Sequence, residues 1–123
     1  DHPGFSPPLI AYAGRDNVAA IHRPNAARGR SLALQGHVDV VPEGAADMWE
    51  TPPYQPSIRN GRVYGRGAGD MKAGIVSYAM AFRALQRAGL QPAAEVQMQA
   101  VIEEECTGNG ALATMLALSK PDA

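Results

Sequence analysis

Three short segments of the sequence carry the side chains best suited to chemistry. His37 and Asp39 end a predicted strand, Asp70 precedes a predicted helix, and Glu103–Glu105 directly follow another predicted strand. In an open α/β sheet, ligands bind beyond the carboxyl ends of the strands and near the N-termini of the helices. We therefore expect the imidazole and the carboxylates to converge at one edge of the sheet.

This set of donors suits a divalent ion such as zinc, with one carboxylate left over as a general base. Alternate residues of a strand share a face, so His37 and Asp39 point the same way, as a metal ligand and its orienting partner would. Each segment also has a simpler interpretation. His-x-Asp is a common spacing, an Asp before a helix is usually an N-cap, and an acidic run is usually a solvated turn.

Glycines in front of Asp70 set this segment apart from an ordinary helix cap. The alternate residues Gly65, Gly67 and Gly69 indicate a backbone that is bent or closely approached. The segment lacks the third glycine of a dinucleotide-binding fingerprint and the Gly-Lys-Ser/Thr ending of a phosphate loop. A phosphate-binding loop is therefore disfavoured.

The other candidate residues are predicted to be structural. Cys106 is expected to be a small packed thiol, because nothing in the sequence specifies a histidine partner for it. We expect His2 and His22 to be surface residues and Lys72 to be a solvated residue of the first helical turn. Trp49 is expected to anchor its proline-rich loop by burying its ring.

The composition is that of one globular domain whose partner is a small molecule or a protein. The chain has 123 residues, 46% of them hydrophobic, and a net charge of -1. This charge is too small for a protein that binds nucleic acid or an anionic membrane surface. No apolar run approaches the ~20 residues of a membrane span. A single cysteine excludes an intrachain disulfide, and no signal peptide is visible, so we expect a cytoplasmic protein.

The predicted strands and helices alternate along the chain. Strands are predicted over residues 18–21, 31–38 and 94–102, the last with one wetter face formed by glutamate and glutamines. The Asn60-Gly61 dipeptide predicts a type I′ turn in a hairpin. The order strand, helix, strand, helix is typical of an α/β layer fold with parallel strands.

Two helices are predicted from the spacing of apolar residues. The first spans residues 71–88, with Asp70 in the N-cap position and Gly89 as a left-handed C-cap. The second spans about 111–119. Its residues predicted to face inward are Leu112, Met115 and Leu116.

Three motifs in this order resemble those of a known enzyme family. They are GHVDVVP at residues 36–42, YGRGAGDMKAG at residues 64–74, and Glu104-Glu105 followed by Gly108 and Gly110-Ala111. Together they resemble the acetylornithine deacetylase / succinyl-diaminopimelate desuccinylase family of metallohydrolases, which includes carboxypeptidase G-type and aminoacylase-type enzymes. The resemblance runs from about Val18 to Ala123.

The resemblance implies a co-catalytic site with two divalent metal ions, zinc first and cobalt as a second candidate. His37 would bind one metal, Asp70 would bridge both, and Glu105 would bind the other. Glu104 would be the general base for a water held by the metals, and Asp39 would orient the His37 ring. The resemblance also implies a cis peptide bond between Asp70 and the next residue.

The assignment of the glutamates leaves an alternative. Glu103 stands where the family usually has an Asp or another small polar residue, so a register with Glu103 and Glu104 in the two roles stays open. We prefer Glu104 and Glu105, because Gly110-Ala111 then matches the start of the family's helix.

The implied fold is part of a mostly parallel-sheet, zinc-peptidase-like catalytic domain with helices packed on the sheet. The implied function is hydrolysis of an amide bond in an N-acyl amino acid, with acetylornithine deacetylase as the best single guess. A metallopeptidase for short peptides and a non-catalytic metal-binding domain are the alternatives. Residues 1–123 would be the N-terminal portion of a parent that is a homodimer. The inserted domain and two further ligands would lie outside them, leaving the fragment alone inactive.

Overall fold

The computed structural model describes residues 9–12 and 15–123. Within those residues the chain forms six strands and two helices longer than one turn. Their bounds are β1 Leu9–Tyr12, β2 Arg15–His22, β3 Leu32–His37, β4 Ser57–Arg59, β5 Arg62–Tyr64, α1 Ala73–Arg87, β6 Val96–Val101 and α2 Asn109–Ala117. Neither helix is both long and apolar enough to cross a membrane.

Four strands form a mixed sheet in the order β1-β2-β6-β3. Only β3 and β6 are parallel, whereas β2 runs antiparallel to both β1 and β6. The expectation of a mostly parallel sheet is therefore not confirmed for the described part of the chain. Helix α1 connects β3 to β6 and makes that pair parallel, but only two residues separate β1 from β2, and so short a connection permits only antiparallel pairing.

The two helices cover opposite faces of this sheet. On one face, His22 of β2 contacts the ring of Phe82 in α1. On the other face, Asn17 donates a hydrogen bond to the Gly110 carbonyl at the start of α2, and Gln97 donates one to Ser119 just after α2. The predicted α/β layer fold is confirmed, with three layers in the order helix, sheet, helix.

The glutamine face of β6 is buried and not wet as predicted. Gln97 and Gln99 are 0% and 4% exposed. Their amides form a ladder in which Gln35 donates to Gln99, Gln99 to Gln97, and Gln97 to Glu95. The prediction of a wet face from the alternation of polar and apolar residues was wrong, because the polar side chains form hydrogen bonds with one another and so can be buried at little cost.

Helix α1 ends as predicted but begins differently. Gly89 has a φ of 72°, and the N–H groups of Gly89 and Leu90 bond back to the carbonyls of Gln86 and Leu85, which is a Schellman motif. At the other end, Asp70 is not the N-cap. It lies inside a wide, distorted turn with φ −113° and ψ 101°, while Lys72 occupies the N-cap position.

Helix α2 packs through small residues and not through its large apolar ones. Gly110 and Thr114 are its buried residues. The residues predicted to face inward are exposed, at 52%, 68% and 79% for Leu112, Met115 and Leu116. The backbone of α2 approaches the end of β6 so closely that only a glycine fits there, and this contact decides which face turns inward.

The hairpin is confirmed, with Ser57 opposite Tyr64 and positive φ angles at Asn60 and Gly61. The loop before it is anchored by Trp49, as predicted, although its ring is only half-buried. The Trp49 ring N–H donates to the Glu43 carbonyl, and the guanidinium of Arg66 lies 5.0 Å from the ring centroid.

Candidate metal centre

The ends of β3 and β6 bring the predicted site residues to one edge of the sheet. His37, the last residue of β3, pairs with Val101, the last residue of β6. Because these strands are parallel, the residues that follow both of them emerge on the same side. Asp70 lies at this edge, in the distorted turn before α1. The peptide bond between Asp70 and Met71 is cis, as the resemblance implies.

His37 is held with one ring nitrogen facing inward and the other facing the carboxylates. It is buried, at 3% exposure, and its Nδ1 lies 3.0 Å from the backbone carbonyl oxygen of Asp39. Its Nε2 lies 3.2 Å from Asp70 Oδ1 and 3.7 Å from Glu104 Oε2. A histidine that ligates a metal through one nitrogen commonly donates its other N–H to a carbonyl or carboxylate, and this geometry matches that pattern.

The surroundings of His37 act on its pKa in opposite directions. Burial lowers the pKa, because it disfavours the imidazolium. The hydrogen bonds to the Asp39 carbonyl and to Asp70, together with the charges of Glu104 and Asp39, raise it. The net result is a pKa above the ordinary value, so this edge of the sheet attracts positive charge.

The residues present fit a divalent cation. His37, Asp70 and Glu105 each offer one ligand atom, and these atoms all lie within 4.8 Å of one another. An imidazole nitrogen and carboxylate oxygens are donors that zinc accepts. Asp70 projects into solvent with 78% of its side chain exposed, so one carboxylate oxygen can face outward as well.

Asp39 lies beneath this cluster and binds the loop that carries the glutamates. One oxygen of its carboxylate accepts a hydrogen bond from the Glu105 N–H at 3.2 Å, and the other is 3.4 Å from the Glu104 nitrogen. Its backbone carbonyl meanwhile faces His37. Asp39 therefore connects the end of β3 to the loop after β6.

Glu103 turns away from the edge where Glu104 and Glu105 lie. It is buried, it has a φ of 60°, and its carboxylate pairs with Arg15. The second oxygen accepts a hydrogen bond from the Thr107 hydroxyl at 2.7 Å. The three consecutive glutamates thus have different surroundings: the carboxylate of Glu103 is paired with the guanidinium of Arg15, whereas that of Glu104 lies beside the His37 ring.

Two side chains differ from what the sequence suggested, and a third makes an additional contact. Lys72 is exposed, as predicted, but its ammonium group also donates a hydrogen bond to the Val38 carbonyl at 2.8 Å. Cys106, predicted to be packed, is exposed. His22, predicted to be a surface residue, is half-buried against Phe82, with its Nε2 3.0 Å from a backbone carbonyl. His2 lies outside the described residues.

Sequence reasoning also missed Asn17. Its side chain is 0% exposed, and it hydrogen-bonds to both ends of the loop that carries the glutamates. Its spacing in the sequence could have identified it, because Asn17 precedes the core residues Ala19 and Ile21 at intervals of two and therefore shares their face of the strand. An asparagine in a core register needs hydrogen-bond partners, and this need could have marked it.

Comparison with known proteins assigns the family. The model of peptidase family M20/M25/M40 matches residues 33–123. The chain belongs to this family. The matched region contains the predicted site residues His37, Asp39, Asp70, Glu104 and Glu105.

An individual curated protein is also similar to part of the chain. The chain is 44% identical over 79 residues to succinyl-diaminopimelate desuccinylase of Burkholderia mallei, an alignment that covers 63% of this chain and 21% of that protein. The chain spans about a fifth of the length of the curated relatives it matches.

Two solved structures share the fold of this chain. An M20 family metallo-carboxypeptidase from Sulfolobus solfataricus superposes with a TM-score of 0.67 at 27% identity, covering 79% of this chain and 22% of that one. A tripeptidase from Staphylococcus aureus superposes with a TM-score of 0.71 at 19% identity, covering 97% of this chain and 32% of that one.

Proposed function

We propose that the full-length protein hydrolyses the amide bond of an N-acyl amino acid with the help of two divalent metal ions, zinc first. The observation that carries this proposal is the arrangement at the sheet edge. A ligand set of His37, Asp70 and Glu105 has a further carboxylate, Glu104, beside it. The 44% identical desuccinylase supports an acylated amino acid as the substrate class.

The proposed ligands divide between the two metals. His37 would help to hold one ion, Glu105 would help to hold the other, and Asp70 would be shared between them. The exposed position of Asp70 supports this role, because both of its oxygens can be reached. When bound, such ions make water a nucleophile near neutral pH and polarise the carbonyl of the substrate.

Glu104 is the proposed general base. Its side chain is 54% exposed, and Asp39 holds its backbone at the edge of the site. In this position the carboxylate can take a proton from the attacking water and deliver it to the nitrogen of the departing amine. Glu103 is unsuited to this role, because its carboxylate is occupied by Arg15 and Thr107.

Two alternatives remain distinct from this proposal. The likeness to the metallo-carboxypeptidase favours, as second candidate, cleavage of short peptides by the same residues. A non-catalytic metal-binding domain is disfavoured, because a structural ion has no use for a carboxylate that stands beside the ligand set without belonging to it.

The replacement Glu104→Gln tests the proposal in the full-length protein. We expect the metal content to be preserved and kcat for N-acyl amino acids to fall by a factor on the order of 10² to 10⁴, because a general acid-base group is lost. The matched control is Glu103→Gln, which should leave kcat nearly unchanged. Metal content and kinetics are measured on the same preparations. If Glu103→Gln lowered kcat and Glu104→Gln did not, the shifted register would be correct.

A further inference from the structure

Asn17 lies at the narrow base of the loop that carries Glu104 and Glu105. Its Nδ2 donates to the Gly110 carbonyl at 3.0 Å, and its Oδ1 accepts from the Ile102 N–H at 2.9 Å. Ile102 directly follows β6, and Gly110 belongs to the first turn of α2. A single amide therefore bridges the seven residues 103–109, which comprise the loop and the first residue of α2.

The side chain that makes both of these hydrogen bonds is buried. Asn17 is 0% exposed and lies on β2, a strand remote in sequence from the loop. The NH2 group and the oxygen of its side-chain amide pair with one backbone carbonyl and one backbone N–H. No smaller polar side chain could satisfy both of these backbone groups. Within a buried, low-dielectric environment, such bonds fix geometry more strongly than they would at a surface.

Close packing at the same point reinforces this arrangement. A Cβ atom placed on Gly110 would overlap the carbonyl oxygen of Ile102 and would lie 2.9 Å from Asn17 Oδ1. The two ends of the loop are thus in direct contact, and the amide of Asn17 lies against both. Within the loop, three backbone N–H groups, those of Cys106, Thr107 and Gly108, bond to the Glu103 carbonyl.

We propose that Asn17 is a positioning residue for the metal ligand Glu105 and for Glu104. It touches neither the metal nor the substrate, and it acts by fixing the two ends of the loop relative to each other. This inference rests on the proposed function for the roles of Glu104 and Glu105. Groups that orient metal ligands from behind typically change metal affinity or activity by about 10- to 100-fold when they are replaced.

Thr114 provides a matched control. Its hydroxyl donates to the same Gly110 carbonyl at 3.0 Å, and it is equally buried. This bond lies within α2 and does not span the loop. Thr114→Val therefore removes a buried hydrogen bond of the same kind while leaving the connection between β6 and α2 in place.

The experiment uses the full-length protein with Asn17→Ser, Asn17→Asp and Thr114→Val. The hydroxyl introduced by Asn17→Ser is too short to reach both partners, whereas Asn17→Asp keeps the size and the acceptor but loses the amide donor. Metal affinity is measured by calorimetric titration of metal-free protein with zinc, and the cobalt absorption spectrum reports the ligand geometry. Thermal unfolding shows that each variant is folded at the temperature of the titration.

We expect Asn17→Ser to weaken zinc binding by about 10-fold or more and to alter the cobalt spectrum. Asn17→Asp, which places a carboxylate oxygen against the Gly110 carbonyl, should also weaken zinc binding, whereas Thr114→Val should bind zinc within about threefold of the unsubstituted protein even where its melting temperature falls. If Asn17→Ser does not fold, the comparison of Asn17→Asp with Thr114→Val decides. A folded Asn17 variant with unchanged zinc affinity and cobalt spectrum would overturn the inference.

Failure of the proposed function would look different. In that case the unsubstituted protein would bind zinc but would not hydrolyse N-acyl amino acids, while the comparison of zinc affinities would still test Asn17. Equal losses of zinc affinity in Asn17→Ser and Thr114→Val would show a general effect of stability and would also overturn the positioning role.

Discussion

Replacing Gly110 with alanine should destabilise the protein, although alanine is the better helix former. Gly110 is the second residue of α2, and an added Cβ would overlap the carbonyl of Ile102 and crowd Asn17. The overlapping atoms are backbone atoms of a strand end, so they cannot rotate away. Either α2 must move off the sheet, or the end of β6 must shift.

The expected magnitude follows from two opposing contributions. Alanine in place of glycine within a helix favours folding by up to about 1 kcal/mol. Forcing an extra methyl group into a close-packed contact typically costs about 1–3 kcal/mol. Since the neighbour is rigid backbone, the upper part of this range applies, and the free energy of unfolding should fall by a net amount of about 1–2 kcal/mol.

Gly74 supplies the matched control, because it is the second residue of α1. A Cβ there would meet only the terminal methyl of Met71, at 3.0 Å, and that flexible side chain can move. Gly74→Ala should therefore leave stability unchanged or raise it by up to about 1 kcal/mol. Urea denaturation of both variants provides the free energies of unfolding. Equal stability of Gly110→Ala and Gly74→Ala would refute the close contact between α2 and β6.

Two further predictions concern charged groups that do not belong to the proposed ligand set. Hydrogen bonds from Gln97 and Ser119, and the nearby Arg23, hold the pKa of Glu95 below its ordinary value. Its charged form therefore stabilises the fold above about pH 4.5 and loses this effect as pH falls through the lower pKa of the folded state. Glu95→Gln should cost about 1 kcal/mol at pH 7, and denaturation at pH 3 should show a smaller difference. Lys72→Met removes the hydrogen bond to the carbonyl after His37; because this lysine is exposed, unfolding should become easier by less than about 1 kcal/mol. The kcat of the Lys72→Met variant should nevertheless fall on the order of tenfold. An unchanged kcat would contradict the idea that the hydrogen bond from Lys72 helps to position His37.

Local sequence signals predicted the parts of the fold whose structure depends on near neighbours. The hairpin turn needs two positive φ angles, and Asn60-Gly61 supplies them. The end of α1 needs a left-handed residue, and Gly89 provides it. The meeting of the site segments at one edge was predictable too, because α1 forces β3 and β6 to be parallel.

Local sequence signals gave wrong predictions where contacts with distant residues determine which side chains are buried. Glu95, Gln97 and Gln99 alternate with apolar residues, which predicts a wet face, but the amides bond to one another and are buried beneath α2. Leu112 and Met115 have the spacing of an inward face, yet the glycine contact at the helix start turns that face outward. In both cases a long-range contact overrides the local pattern.

The candidate site shows the same division between local and long-range information. Its proposed ligands stand in motifs that are recognisable within a few residues, whereas some of the groups that contact those motifs come from distant positions. Asn17 binds the loop ends 85 and 93 residues away, and Lys72 reaches a carbonyl 34 residues away. The alternating pattern of β2 places Asn17 in the core but does not identify its partners, and the Lys72 contact leaves no periodic trace, because such contacts join a side chain to distant backbone groups. A substitution at Asn17 should therefore disturb the candidate metal site while leaving every recognisable motif intact.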